Sequence, residues 1–150
     1  MKFIVLDATP LGLLVQPFVS PNGDRCRKWL LSKANAGMGV LVPEIADYEV
    51  RRELIRAKKA ASVSTLNAFI ANPQITYLPI TTAAMLMAAD LWAQARNRGL
   101  PTAHPKALDG DVILAAQVLS AGYDPAEFVI ATSNVTHLAQ FAPSAAWESV

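Results

Sequence analysis

Four acidic side chains in this 150-residue chain stand where they could do chemistry together: Asp7, Glu49, Asp109 and Asp111. Asp7 ends the apolar run Phe3-Ile4-Val5-Leu6. Asp109 and Asp111 open a stretch in which Val112, Ile113, Leu114, Ala115, Ala116, Val118 and Leu119 are apolar. A helix that is apolar nearly all round is buried on several sides, so its head carries two carboxylates inward. Brought near Asp7, each like-charged pair costs roughly 4 kcal/mol at about 4 Å and an effective dielectric near 20. A hard divalent cation removes that cost, and oxygen-only ligands suit Mg²⁺ or Mn²⁺. Helix capping is the competing explanation: Asp7 and Asp109 stand where an N-cap belongs, and Asp111 complements a helix dipole. Capping alone does not require crowding.

Glu49 lies at the edge of an apolar helical stripe, beside a second stripe of Ile45, Arg52, Arg56 and Lys59. It reads either as a surface partner of Arg52, worth a few tenths of a kcal/mol, or as a metal or water ligand at a cleft rim. In the second reading Arg52, Arg56 and Lys59 lead a phosphate backbone toward the acids. The same cations would equally serve as a solvated face or a docking surface. Thr9, Ser133 and Asn134 follow predicted strands and would hydrogen-bond metal-bound waters or orient the carboxylates; ordinary strand-end turn chemistry is the alternative.

The elements that must position these residues alternate along the chain. Phe3–Leu6 and Gly39–Val42 read as buried strands, Ile75–Ile80 as a third, ended by Pro79, and Glu127–Thr132 as a fourth. A short fifth strand falls near Trp147. Helices are expected after Pro10 and from residues 21–24 through Trp29 and Leu31, stopping near Gly37 or Gly39. Pro43 opens one running to about Ala61, with Ala46, Val50, Leu54, Ala57 and Ala61 on its inner stripe. Others cover Ser62–Ala71, run from Thr81 or Thr82 through Trp92, and run from an Asp109 cap to about Ser120. Leu100–Leu108 reads as a Pro-containing loop. Strands separated by helices imply right-handed crossovers and a parallel sheet covered on both faces. The expected fold is therefore α/β, a three-layer α/β/α sandwich around a parallel sheet of four or five strands, in one domain over residues 1–150. In such sheets ligands sit beyond the carboxyl ends of the strands, near a switch in strand order. Asp7, Asp111 and Asn134 all belong there.

Composition narrows the function classes. With 53% hydrophobic and 17% charged residues, a disordered or fibrous chain is excluded. One cysteine, Cys26, leaves no disulfide framework or cysteine-based zinc site, and points to a cytoplasmic setting. A net charge of +1 means that nucleic-acid binding must come from local patches. No apolar run is long enough to span a bilayer, and the first one stops at Asp7, too soon for a secretory signal. Gly-rich nucleotide loops are absent, as is the second Asp of an Asp-x-Asp phosphatase. His104 and His137 lack partners at metal-ligand spacing; Trp29, Trp92 and Trp147 read as core anchors. Met85, Leu86 and Met87 read as packing or dimer surface.

Four segments resemble one family. Leu6-Asp7-Ala8-Thr9-Pro10-Leu11 resembles the opening motif of PIN-domain ribonucleases, and Pro43–Leu54 their second, with Glu49 at the acidic position. Asp109-Gly110-Asp111-Val112-Ile113-Leu114-Ala115-Ala116 is similar to the third, with Asp111 as the acid that starts the helix and Asp109 at a less regular acidic position. Thr132–Leu138 is similar to the fourth. The four occur in the family's order across nearly the whole chain. Two departures stand out: Asn134 where some members carry a fourth acid, and Leu138 in place of an aromatic. The resemblance implies a metal-dependent ribonuclease, with Mg²⁺ or Mn²⁺ held by Asp7, Glu49, Asp111 and Asp109 and supported by Thr9, Thr132, Ser133 and Asn134. Its products would carry 5′-phosphate and 3′-hydroxyl ends. Many members are VapC-type toxins, which implies an antitoxin partner and a homodimer. The rival reading is a PIN-like module that binds RNA or protein with little or no catalysis, which Asn134 permits.

Overall fold

The computed structural model describes residues 1–16, 20–99 and 108–150. His104, Pro101 and Pro105, with most of the loop expected around them, lie outside the described residues.

Five short strands, β1 (Phe3–Leu6), β2 (Gly39–Pro43), β3 (Ile75–Leu78), β4 (Phe128–Thr132) and β5 (Ser144–Ala146), form one sheet. Every pairing is parallel, and the order is β3-β2-β1-β4-β5. Ile4, Val5, Leu6, Leu41, Val42, Ile130 and Ala131 are completely buried, the signature of strands covered on both faces. The expected three-layer α/β/α architecture is present. After β1 the chain runs outward through β2 to β3, then returns to lay β4 on the other side of β1. The switch in strand order therefore falls between β1 and β4. Leu6 is in register with Ala131, and the Asp7 N–H donates to the Ala131 carbonyl at 3.1 Å. Asp7 is thereby fixed beside Thr132.

The helices are α1 (Ala8–Leu14), α2 (Pro21–Asn35), α3 (Glu44–Arg56), α4 (Ala60–Ile70), α5 (Thr82–Asn97), α6 (Leu108–Ser120) and α7 (Val135–Leu138). Ser20 caps α2 by accepting from the Gly23 N–H, and Thr81 caps α5 by accepting from Ala84. The expected helix to Ala61 instead stops at Arg56. The Lys59 N–H turns back to the Leu54 carbonyl (2.9 Å) and the Lys58 N–H to Ile55 (3.0 Å). This is a Schellman turn with Lys58 at φ 57°, a position usually taken by glycine. Ala57 and Ala61 are consequently exposed, and the apolar stripe ends with Leu54. Asp109 is also not a cap: it lies within the first turn of α6.

One buried polar group locks the arrangement. Gln117, alone among the apolar residues of α6 that face the interior, accepts from the Ile45 N–H (3.1 Å) and donates to the Leu78 carbonyl (2.7 Å). It joins α6 to the start of α3 and the end of β3. Trp147 is buried edge-on against Trp29, centroids 5.6 Å apart, whereas Trp92 is 40% exposed and anchors no core.

Candidate functional site

Each acid reaches the crevice at the switch point by its own element. Asp7 leaves the end of β1 and caps α1, its Oδ1 accepting from the Ala8 N–H at 2.7 Å. Its Oδ2 accepts from Thr132 Oγ1, at the buried end of β4, at 2.6 Å. Asp111 stands in the first turn of α6, and Glu49 one turn into α3. The Gln117 bridge sets α3 against α6, and Glu49 lies directly on Gly110, where a Cβ would collide with its Oε1. Glycine between Asp109 and Asp111 thus makes room for the third carboxylate.

The turn after β4 fastens these pieces together. Thr132 donates to Asp7, Ser133 Oγ pairs with Thr9 Oγ1 at 2.8 Å, and Asn134 Nδ2 donates to Asp111 Oδ2 at 3.2 Å. The Asn134 N–H donates in turn to Thr132 Oγ1 at 2.8 Å. Asp7 and Asp111 are so linked through one continuous set of hydrogen bonds. A cleft of about 600 Å³ opens above them, lined by Asp7, Thr9, Glu49, Arg52, Asp109, Asp111, Ser133 and Asn134, with Ile45, Tyr48 and Ile113.

The electrostatics show that the carboxylates feel one another. Burial pushes the Asp111 pKa up to about 7, and the charges of Asp7 and then Glu49 add to the shift. Glu49 is raised by burial and then by Asp7, against the pull of Arg52. Asp7 is raised by burial, opposed by its bonds from Thr132 and Ala8. Such a set is relieved by protonation or by a cation, and its hard carboxylate oxygens match Mg²⁺ or Mn²⁺ in donor chemistry. Among the described residues, no three His, Cys, Asp or Glu side chains stand gathered around a single ion position. The acids share a cleft and a field rather than a finished cage.

Two of the three expected basic residues lie elsewhere. Arg52 lines the cleft, but it does not pair with Glu49; its guanidinium lies over the Tyr48 ring, 5.2 Å from the centroid. Arg56 is turned to Glu53 (2.9 Å) on the surface. Lys59, beyond the turn that ends α3, lines a neighbouring groove with Thr9 and Gly12. Helix periodicity had put all three on one stripe, and the stop at Arg56 removes Lys59 from it. Gly110 and Tyr48 are features that residue chemistry did not single out. The signal for Tyr48 was present, an aromatic one residue before the acid and one turn before Arg52.

Three solved structures share this architecture. VapBC2 from Rickettsia felis, bound to a promoter DNA fragment, matches with a TM-score of 0.72 and 13% identity over 97% of this chain and 99% of that one. FitAcB from Neisseria gonorrhoeae matches at 0.69 and 16%, and DNA-bound VapBC from Salmonella typhimurium at 0.63 and 16%; each covers 98% of this chain and 99% of the other. The chain has a PIN-like fold. At these identities the likeness concerns the PIN-like backbone alone. No family model and no curated protein sequence matches the chain. Among the described residues, no helix is long and apolar enough to cross a membrane.

Proposed function

We propose that this protein is a metal-dependent endoribonuclease and the toxin of a toxin–antitoxin pair. The observation that supports the reading most is the gathering of Asp7, Glu49 and Asp111 in one cleft at the strand-order switch, where the Asp7 charge helps to raise both Glu49 and Asp111. Asp7, Glu49 and Asp111 would hold Mg²⁺ or Mn²⁺, with Asp109 adding negative charge at the exposed edge. When bound, such an ion polarises a phosphodiester and lowers the pKa of water.

The chain's own residues supply the rest. Thr132 and Asn134 keep Asp7 and Asp111 at a set separation through the bonds they donate. The N-termini of α1 and α6 face the same carboxylates and favour their charged forms. Glu49, half-buried and lying over Gly110, adds the third carboxylate to the cleft from α3. Thr9 and Ser133 present a hydrogen-bonded pair of hydroxyls along the cleft wall, and Arg52 would draw the phosphate backbone in from the rim. Arg56 and Lys59, on neighbouring surface, would extend that attraction. The PIN-like fold shared with VapBC and FitAcB structures supports an antitoxin partner. Exposed Met85, Leu86 and Trp92 on α5 support self-association as a homodimer.

RNA cleavage with Mg²⁺ or Mn²⁺, measured for wild type, Asp7→Asn and Asp111→Asn, tests the assignment. Loss of cleavage in both variants, with weakened ion binding by calorimetry, is expected. Wild-type activity that survives EDTA, or that both variants retain, rejects it. Wild-type RNA binding without cleavage would favour the non-catalytic module.

A further inference from the structure

The rim of the cleft carries an aromatic side chain with no structural work to do. Tyr48 is 54% exposed and belongs to neither buried apolar cluster. It lines the same cleft as the acids, while its neighbour Glu49 turns inward to Gly110. The Arg52 guanidinium lies over its ring at 5.2 Å, and among the described residues no carboxylate is within ion-pair distance of Arg52. An exposed ring and a guanidinium without an ion-pair contact, stacked at the mouth of an acidic cleft, present a flat π surface and a positive charge side by side. Nucleobases stack on aromatic rings and on arginine planes, while their phosphates take the charge.

We propose that Tyr48 and Arg52 form a stacking platform that grips one unpaired nucleotide of the substrate next to the acid cleft. Bases inside a duplex have both faces covered by their neighbours, so only an unpaired base can use this surface. The platform tolerates different bases, because every base has a π face. This inference rests on the ribonuclease reading, and it concerns the residues by which that site holds a base beside the acids.

The test is fluorescence anisotropy of labelled single-stranded and hairpin-duplex RNA with the full chain in EDTA, so that binding is read apart from cleavage. Tyr48→Ala should weaken single-strand binding by about 5- to 150-fold and leave duplex binding unchanged. Tyr48→Phe and Tyr48→Trp should bind as wild type. Because Tyr48 is exposed, the melting temperature and the calorimetric Mg²⁺ affinity of Tyr48→Ala should not move. Unchanged single-strand affinity in Tyr48→Ala overturns the platform even if cleavage persists, as does duplex binding as tight as single-strand binding. A change in self-association by light scattering, without a change in RNA affinity, also overturns it and marks the patch as a protein contact. Failure of the ribonuclease reading itself shows separately, as wild type that cleaves no RNA with either metal.

Discussion

Gly110→Ala separates the site from the fold. Gly110 lies in the first turn of α6 between two acids, in ordinary helical backbone, so alanine is conformationally welcome there and gains up to about 1 kcal/mol of helix propensity. Its new Cβ, however, lands on Glu49 Oε1 and within 3.3 Å of Cδ. The obstacle is the end of a flexible side chain, and rotating it away costs about 0.5–1.5 kcal/mol. The two terms nearly cancel, so the melting temperature should stay within about 4 °C of wild type. Glu49, in contrast, leaves the cleft. Displacing a positioned carboxylate by an ångström or more should lower RNA cleavage by about 100-fold and weaken Mg²⁺ binding. The assay combines thermal melting, calorimetry with Mg²⁺ and RNA cleavage on Gly110→Ala, Glu49→Ala and the double variant. Removing the Glu49 side chain first should make the second change harmless, so the double variant should cleave no worse than Glu49→Ala. Full activity in Gly110→Ala, or a double variant much worse than either single one, would refute the reasoning.

Two further outcomes follow from the same geometry. Asp111 binds its proton up to about pH 7 in the folded protein but only to its ordinary 3.8 when unfolded. The folded state therefore holds more protons between these values, and the metal-free protein should lose stability as pH rises from about 4 to 7. Melting in EDTA should fall across that window, more steeply for wild type than for Asp111→Asn, and Mg²⁺ at pH 8 should restore it; parallel curves for the two proteins count against the shared field. Lys58 holds a left-handed backbone at φ 57°, which costs a side-chain-bearing residue about 1–2 kcal/mol. Lys58→Gly should raise the melting temperature by about 2–4 °C without altering cleavage, and a fall would mean that the lysine side chain contributes more than its backbone costs.

The amino-acid sequence by itself determined the strands and the parallel sheet. Runs such as Phe3–Leu6 and Gly39–Val42 are apolar on both alternating faces, which only burial between two helical layers satisfies. It also determined that Asp7, Asp111 and Asn134 stand at strand or helix ends, because the residue types change there from apolar to polar. Tertiary structure decided what those ends meet. The placement of β4 beside β1 brings Thr132 to Asp7 and Asn134 to Asp111. The packing of α3 on α6 through Gln117 brings Glu49 over Gly110. Where helix periodicity ran on past Arg56, backbone hydrogen bonds closed a turn with lysine in the glycine position, and the basic stripe broke with it. Local pattern records which face of an element is apolar. The approach of segments far apart in the chain is settled by long-range packing and buried hydrogen bonds, which no short window of sequence contains.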